Sequence, residues 1–567
     1  MDSELLISLG ALMAIFLMPG VGLCVEVRGP APVPTDLKWH ISRATDNIVR
    51  WATAMSGFDP VVAVRDGHPK SWIDLNHNLG RAIDGLLKGE ASTSQRTPEQ
   101  VVETLRAVLF ATLDNEAGFP AAYDAESGRI ICSAHDIREA VQALLELATR
   151  RSDRQAGEHL GRLLDTLLRI TDDQGAYRPE VIAQIPLLAA NSKSGEVAGF
   201  TDHDTLQYNP PEDEGFYYPQ AVTVDRGRLI MALVQVYRHL RDERALQLAR
   251  RFVHRVRSRC FTPEGQLLRE AGSHTHSITG TVHGLAAFGI LTDDRDTLEH
   301  ARRVFEGGLG STKSSFGWSV ENCWRERVVG RGEINNTGDM IQTALHFAEA
   351  GYCEYFEVAE RMVRSHVLPG QWLKGQPFYQ PEGAPQEALK SFPDDSDGGG
   401  GFPGVNDRHV PGADPDVLDI TQGGIQSLWA VGRQSVTSDE SAVRINMAFS
   451  GETDGAHVES HLPVEGRVTV TMKQKAALWF RKPSWLPWEK LNIVVDGNSV
   501  AVSHVGSWAV TPPQDQGTQL EVIYPLVRRE QQEWVNYQRY RFVLEGDTIV
   551  AMSPRGHYAP MYDPLDD

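Results

Sequence analysis

Apolar residues fall into two periodicities along this chain. Between about Leu37 and Ser435 they recur at i, i+3, i+4 and i+7, which places them on one face of a helix. Val101–Leu113, Asp136–Ala148 and Glu158–Ile170 follow this spacing, as do Arg226–Leu240 with Glu243–Val256 and His283–Leu291 with Asp296–Gly307. Gly338–Gly351 pairs with Tyr355–Val367, and Gln422–Gln434 is the last such stretch. Short turns such as Arg241-Asp242-Glu243 join partners, so neighbouring helices run antiparallel. The pairs repeat at roughly 50 residues, and each has a face rich in Ala and Leu. Eleven or twelve such helices predict a closed ring of six hairpins, an (α/α)6 toroid, with an open solenoid as the alternative. The long connections Thr171–Thr223, Gly307–Thr337 and Leu368–Asp419 favour the ring, because a toroid gathers its loops at one mouth and builds a cleft there.

From about Ala442 the period drops to two. The segments VRINMAF, RVTVTMK, ALWFRKP, NIVVDG, QLEVIYPL, YRFVLEG and TIVAMS are short and alternating, with turn signals at Asp496-Gly497, Pro512-Pro513 and Glu545-Gly546. That spacing predicts an antiparallel sandwich. The expected fold class is α+β multidomain, with an (α/α)6 toroid over residues 35–435 followed by an antiparallel β-sandwich over 440–567.

Residues 1–25 follow neither pattern. Leu5–Cys24 is apolar and uncharged, and Pro19-Gly20 interrupts it before small residues, as in a signal peptide. Asp2 and Glu4 precede it where basic residues are usual, so a membrane tether through residues 5–24 is the alternative. The expected location is periplasmic or extracellular, or membrane-anchored if the segment is not cleaved.

Composition narrows the partners. The 567 residues include 55 Lys or Arg and 75 Asp or Glu, a formal charge of −20, which argues against a nucleic-acid-coating surface. The five cysteines, Cys24, Cys132, Cys260, Cys323 and Cys353, contain no CxxC pair, so no thiolate-rich zinc site is visible locally. No Gly-x-Ser-x-Gly elbow is present, which leaves serine-nucleophile chemistry without support.

Two loops carry candidate chemistry. Phe200–Gln220 is dense in carboxylates, Asp204 among them, and carries Tyr217 and Tyr218. Carboxylates beside aromatic planes suit sugar binding and protonation of a glycosidic oxygen. A solvated acidic loop is the plain alternative. Gly310–Asp339 holds Trp318, Glu321, Trp324 and Asp339. A Glu desolvated by tryptophans can act as a general acid, whereas Arg325, Arg327 and Arg331 offer it ion pairs instead. His274, His276 and His283 cluster further on, and hydrogen bonding is the expected use of such histidines rather than metal ligation.

The order of these segments resembles the bacterial β-L-arabinofuranosidases, an (α/α)6 barrel followed by β-sandwich domains. Ile131–Leu144 looks like that family's Tyr-Cys-x-Gly-His-Leu-Ile-Glu-Ala helix, which places His135 on a substrate-binding histidine. Thr281–Ala287 resembles its Gly-His-Ala-Val-Arg start and places His283 on a second one. Gly307–Glu321 resembles its Thr-Gly-Gly-Ile-Gly-Ser loop, which puts Glu321 near the general acid/base. Ala477–Trp485, Val494–Val500 and Tyr540–Pro554 follow its β pattern in order. The departures concern the metal. The family's zinc is held by one Glu and three Cys, one Cys being the nucleophile. Its Glu-Thr-Cys falls here on Asn336-Thr337-Gly338, fifteen residues past Glu321, and its Cys-Cys pair falls near Thr421-Gln422.

The resemblance with these losses implies a metal-independent glycoside hydrolase, with no cofactor and a poly- or oligosaccharide substrate. Glu321 is the expected general acid and Asp339 the expected base. His135, His283, Asn336, Trp318, Trp324, Tyr217, Tyr218, Asp204 and Gln422 are the expected substrate-binding residues. A non-catalytic glycan-binding protein of this fold, or another toroid sugar enzyme (uronyl hydrolase, epimerase or lyase), remains the alternative.

Overall fold

The computed structural model describes residues 35–54, 74–124, 129–192, 221–320, 323, 332–371, 373, 402, 417–535, 538–554 and 561–565. Its helices, in chain order, are α1 Leu37–Ala54, α2 Asp74–Thr93, α3 Glu99–Leu113, α4 Ile137–Arg150, α5 Arg154–Ile170 and α6 Leu229–Leu240. They continue with α7 Glu243–Arg259, α8 Thr275–Thr292, α9 Arg295–Arg303, α10 Ile334–Glu349, α11 Tyr355–Met362 and α12 Val417–Ser435. The helices α2, α4, α6, α8, α10 and α12 pack side by side in that order, and α12 returns to α2. This closes the ring and removes the solenoid alternative. Outside it, α3, α5, α7, α9 and α11 each pack on the inner helix that precedes them, while α1 covers α12 and α2.

Local chemistry explains the hairpins. Asp153, Asp242 and Asp294 cap α5, α7 and α9, each accepting a backbone N–H from the first turn. The outer helices α5, α7, α9 and α11 are strongly amphipathic, which makes them legible by period. Helix α8 is buried on every side from Thr275 to Gly289, and its first two turns, THSITGTV, carry no apolar stripe. Its predicted start at His283 is therefore two turns late, because a helix surrounded by other helices has no polar face to mark its period.

The tail contains two facing sheets around their own core of Val443, Ile445, Val458, Val468, Leu478, Phe480, Leu520 and Val522. One sheet has six strands and the other five. The pairing is antiparallel apart from Ala442–Ile445 on Ala477–Arg481 within the five-stranded sheet, and Thr548–Ser553 on Asp563–Pro564 beyond the sandwich. That last sheet, running from Arg528–Val535 through Gln538–Glu545 to Asp563–Pro564, has four strands. It turns Tyr540, Phe542, Leu544 and Met552 into the toroid's core rather than the sandwich's.

A buried ion network joins sandwich to ring. Arg481 Nη2 donates to Glu360 Oε2 at 2.7 Å, with Glu357 Oε2 3.4 Å from Nη1. Arg364 donates to the other Glu360 oxygen at 3.0 Å, and Arg361 holds Asp547 at 3.0 Å.

The expected membrane tether needs correction. No helix among the described residues is long and apolar enough to cross a membrane. A spanning helix needs about 20 mainly apolar residues, and even the largely uncharged α8 is broken up by Thr, Ser, His and Gly. The membrane-anchored alternative is withdrawn on this count. Residues 5–24, on which it and the export expectation rested, lie outside the described residues.

Candidate functional site

The inner helices all begin at the same mouth, so their first turns deliver side chains to one place. A helix in a closed ring shows one stripe to the axis. On these stripes polar residues and glycine replace leucine. Helix α2 contributes His77, Arg81 and Asp84, and α4 with the turn before it contributes His135, Asp136, Arg138 and Glu139. Arg228 precedes α6, His276, Thr279 and His283 lie on α8, Asn336 and Asp339 on α10, and Gln422 on α12. Below them an axial cavity of about 240 Å³ is walled by Arg138, Gln142, Arg228, Gly280, His283, Asp339, Gln342, Gln426 and Trp429 among others.

Asp339 is the carboxyl of interest. Thr279 Oγ1 donates to its Oδ2 at 3.0 Å. His276 Nε2 lies 3.5 Å from Oδ2 and His283 Nδ1 3.8 Å from Oδ1. Burial pushes its pKa up from 3.8 to about 6, against the pull of Arg138, the Thr279 hydroxyl, Arg228 and Arg81. Gly280 permits this crowding. A Cβ there would sit 3.2 Å from Asp339 Oδ2 and 3.5 Å from Arg228 Cβ.

Beside Asp339, three guanidiniums converge on one carboxylate. Glu139 Oε1 accepts from Arg138 Nε at 2.9 Å and Nη2 at 2.6 Å, from Arg228 Nη2 at 2.5 Å and from Arg81 Nη2 at 3.4 Å. Burial alone would raise Glu139, but Arg138 and Arg228 overcome it and hold the group well below the carboxylate range. The other two carboxylates on the cavity wall are spoken for. Asp84 Oδ2 accepts from Gln422 and Gln426 at 2.7 Å each while Lys88 bonds Oδ1. Glu146 is paired with Lys88 at 3.2 Å and with Arg150.

Histidines line the mouth. At the mouth His135 stacks on His77 with ring centroids 4.6 Å apart, and deeper in the ring His283 stacks on His346 of the last turn of α10 at 5.2 Å. Burial, then the neighbouring Arg228, pushes His135 well below the ordinary imidazole range. Arg228 donates to His135 Nε2, which assigns the ring proton to Nδ1, 3.4 Å from Asp136 Oδ1.

Two metal arrangements can be tested against these residues. At the positions of the family's zinc ligands, Asn336, Thr337 and Gly338 of α10 face Thr421 to Gly423 of α12, with Gly338 so close that a Cβ would lie 3.0 Å from the Gly423 carbonyl. The two helix starts meet there, but no thiolate stands among them. Of the cysteines in the described residues, Cys132 and Cys260 are buried in the core and Cys323 and Cys353 lie elsewhere. These residues do not fit a Glu/Cys zinc site. The second arrangement is His77, His135 and Asp136, whose ligand atoms lie within 4.8 Å of one another. The donor set suits a divalent metal. Its surroundings do not, because Arg228 occupies His135 Nε2 and Arg81 and Arg138 stand beside it on Glu139.

The structure brings together Asp339, Asn336, His135, His283 and Gln422 from the expected set. Asn336 is fully buried, and among the described residues neither its Oδ1 nor its Nδ2 has a hydrogen-bond partner. Gln422 is bound to Asp84. Trp318 is elsewhere. It is fully buried against Tyr540 of the four-stranded sheet, ring centroids 5.7 Å apart, so it is part of the packing between sheet and ring and offers no open face to a sugar. Glu321, Trp324, Tyr217, Tyr218 and Asp204 lie outside the described residues. The arginine cluster on Glu139 went unread in the sequence. The signal available was Arg138-Glu139 falling on the first turn of an inner helix, a charged pair where the period demands burial.

Comparison with known proteins places this arrangement. No family model matches the chain, and no curated protein matches it. Among solved structures, a β-L-arabinofuranosidase of glycoside hydrolase family 127 from Geobacillus stearothermophilus T6 superposes with a TM-score of 0.55 at 11% identity, covering 90% of this chain and 84% of its own. A second family 127 β-arabinofuranosidase gives 0.59 at 13% identity, covering 91% and 84%. The chain shares the β-L-arabinofuranosidase fold. A third structure, described as a glycoside hydrolase, gives 0.52 at 12% identity, covering 89% of this chain and 80% of that one. The likeness spans both toroid and tail, and at these identities it establishes the architecture alone.

Proposed function

We propose that this protein is a glycoside hydrolase whose proton-transfer carboxyl is Asp339. One observation carries the reading. In a fold shared with glycoside hydrolases, a buried carboxyl that among the described residues forms no pair with Lys or Arg faces the axial cavity with its pKa raised to about 6. A base works best when its pKa lies near the working pH. Above about pH 6 Asp339 is ionised and takes a proton from water as the water oxygen attacks the anomeric carbon. The glycosidic C–O bond breaks, and the leaving oxygen receives a proton from the acid. Glu321, on its position in the sequence, is that acid. The buried amide of Asn336 and the imidazoles of His135 and His283 are hydrogen-bonding groups for sugar hydroxyls. The substrate is an oligo- or polysaccharide, and no step requires a metal.

The test is reducing-sugar release on a panel of plant and algal polysaccharides, followed by kinetics of Asp339→Asn and Glu321→Gln on the substrate found. Each change should lower kcat by roughly a hundredfold or more, and the acidic limb of the pH profile, centred near 6, should vanish in Asp339→Asn. Full activity in Asp339→Asn would overturn the assignment. A second reading, glycan binding without hydrolysis, is favoured by the pairing of Asp84 and Glu146 with Lys88. Calorimetric binding without release of reducing ends would establish it.

A further inference from the structure

The far end of the ring holds a second cavity, about 720 Å³, between the last turns of α6, α10 and α12 and the outer face of the five-stranded sheet. Gln235, His283, Gln342 and Trp429 wall both this cavity and the axial one. We propose that it is a second carbohydrate site, separate from the Asp339 site, and that its ligand is an acidic oligosaccharide bearing sugar carboxylates.

The aromatic part of the site comes from the sandwich. Trp479 and Trp508 sit on adjacent paired strands and face the toroid, ring centroids 6.3 Å apart at 66°. Both indoles are half-buried, so each keeps ring area that a sugar can lie against while polar groups fix its hydroxyls. Gln235, Gln342 and Asn446 supply those polar groups along the wall.

Charge selects the ligand. Arg238 and Arg433 confront one carboxylate, Glu349, which His346 already holds at 3.3 Å. The His346 hydrogen bond, against the opposing effect of burial and with the charges of His346, Arg238 and Arg433 behind it, keeps Glu349 below its ordinary range. Among the described residues neither guanidinium forms an ion pair, and Arg433 is exposed at the rim. Arg444, from the sandwich, completes the cationic wall while bound to Asp439 at 2.6 Å. Cations in the last turns of helices also offset the helix dipole. That accounts for Arg238 and Arg433, but not for a second domain setting two tryptophans and a third arginine opposite them. On a chain of charge −20, a cationic recess is a local reversal of field that draws anions.

The test is titration calorimetry of the full chain with an oligogalacturonate and with a cello-oligosaccharide of the same length. The acidic ligand should bind, the neutral one at least tenfold more weakly, and added salt should reduce the difference. Asp339→Asn should bind the acidic ligand as the wild type does. Arg238→Ala combined with Arg433→Ala should lose about tenfold, the effect of removing charge-assisted hydrogen bonds, and Trp479→Ala should also weaken binding. Trp479 lies at the domain junction. If that variant melts early, the exposed Arg433→Ala variant carries the test. Equal binding of both ligands, binding unchanged in the double arginine variant, or no binding to the wild type would each overturn the proposal. Loss in Asp339→Asn alone would place the ligand at the mouth and overturn it too.

Discussion

Replacing Asp339 with Asn should make the protein more stable above about pH 6 while removing the proposed chemistry. The reason lies in the balance at that carboxyl. Its pKa stands near 6 instead of 3.8 because burial outweighs Arg138, Thr279, Arg228 and Arg81 together. Well below its ordinary range the group is protonated in folded and unfolded chains alike, and folding feels nothing. As pH rises from there to about 6, the unfolded chain releases the proton and the folded chain retains it, so stability falls. Above about 6 both are ionised and the full cost is present. At about 1.4 kcal/mol per pH unit of displacement, the cost approaches ~3 kcal/mol. Asn keeps the Thr279 hydrogen bond and carries no charge, so it avoids that cost. Thermal unfolding of wild type and Asp339→Asn should differ by several degrees near about pH 8 and converge near about pH 4. A variant no more stable than wild type at the higher pH would refute the reasoning. It would mean that the arginines hold the carboxylate more strongly than burial opposes it.

The arginine cluster makes a prediction of opposite sign. Glu139→Gln leaves Arg81, Arg138 and Arg228 buried without their shared carboxylate, and urea unfolding should show a loss of about 3–5 kcal/mol; a loss below about 1 kcal/mol would show that solvent reaches the cluster. Chelator should leave the activity on a confirmed substrate unchanged. Loss with chelator, restored by one divalent ion and absent in His77→Ala, would instead establish His77, His135 and Asp136 as a working metal site.

Amphipathic helices were legible because their polar face meets water. That covers the outer helices α3, α5, α7 and α9, and the alternating strands of the tail. The regions misread lie where water is absent. Helix α8 has no solvent face from Thr275 to Gly289, so its period carries no contrast. Trp318 reads as a sugar platform from its neighbours in sequence, yet its partner Tyr540 lies more than two hundred residues away in the four-stranded sheet. Asp339 and His283 stand out in the sequence through resemblance and position, and the ring brings them within 3.8 Å. Burial raises the pKa of Asp339, and the charges that pull against it come from α2, α4 and the start of α6, with no local pattern connecting them to α10. Such a site becomes visible once the ring is closed, because closure turns six separate polar stripes into one wall.

Closure also determines which chemistry the mouth favours. Parallel inner helices direct their N-terminal ends toward one opening, each with a partial positive charge of about half a unit. Arg81, Arg138 and Arg228 add three full charges at the same level, opposite the carboxyls of Asp136, Glu139 and Asp339. A divalent cation entering there would meet the guanidiniums and helix N-termini as well as these carboxyls, and the positions that the resemblance gives to cysteines fall on Gly338 and near Thr421-Gln422 here. An anion, or a charge that turns negative as a bond breaks, meets the same field with the opposite sign. Burial meanwhile keeps Asp339 able to exchange a proton near neutral pH in spite of the arginines around it. In the function proposed above, that one carboxyl with a raised pKa among three arginines supports proton transfer to or from a polyol ligand, and the arrangement follows from polar side chains that ring closure forces into a common interior.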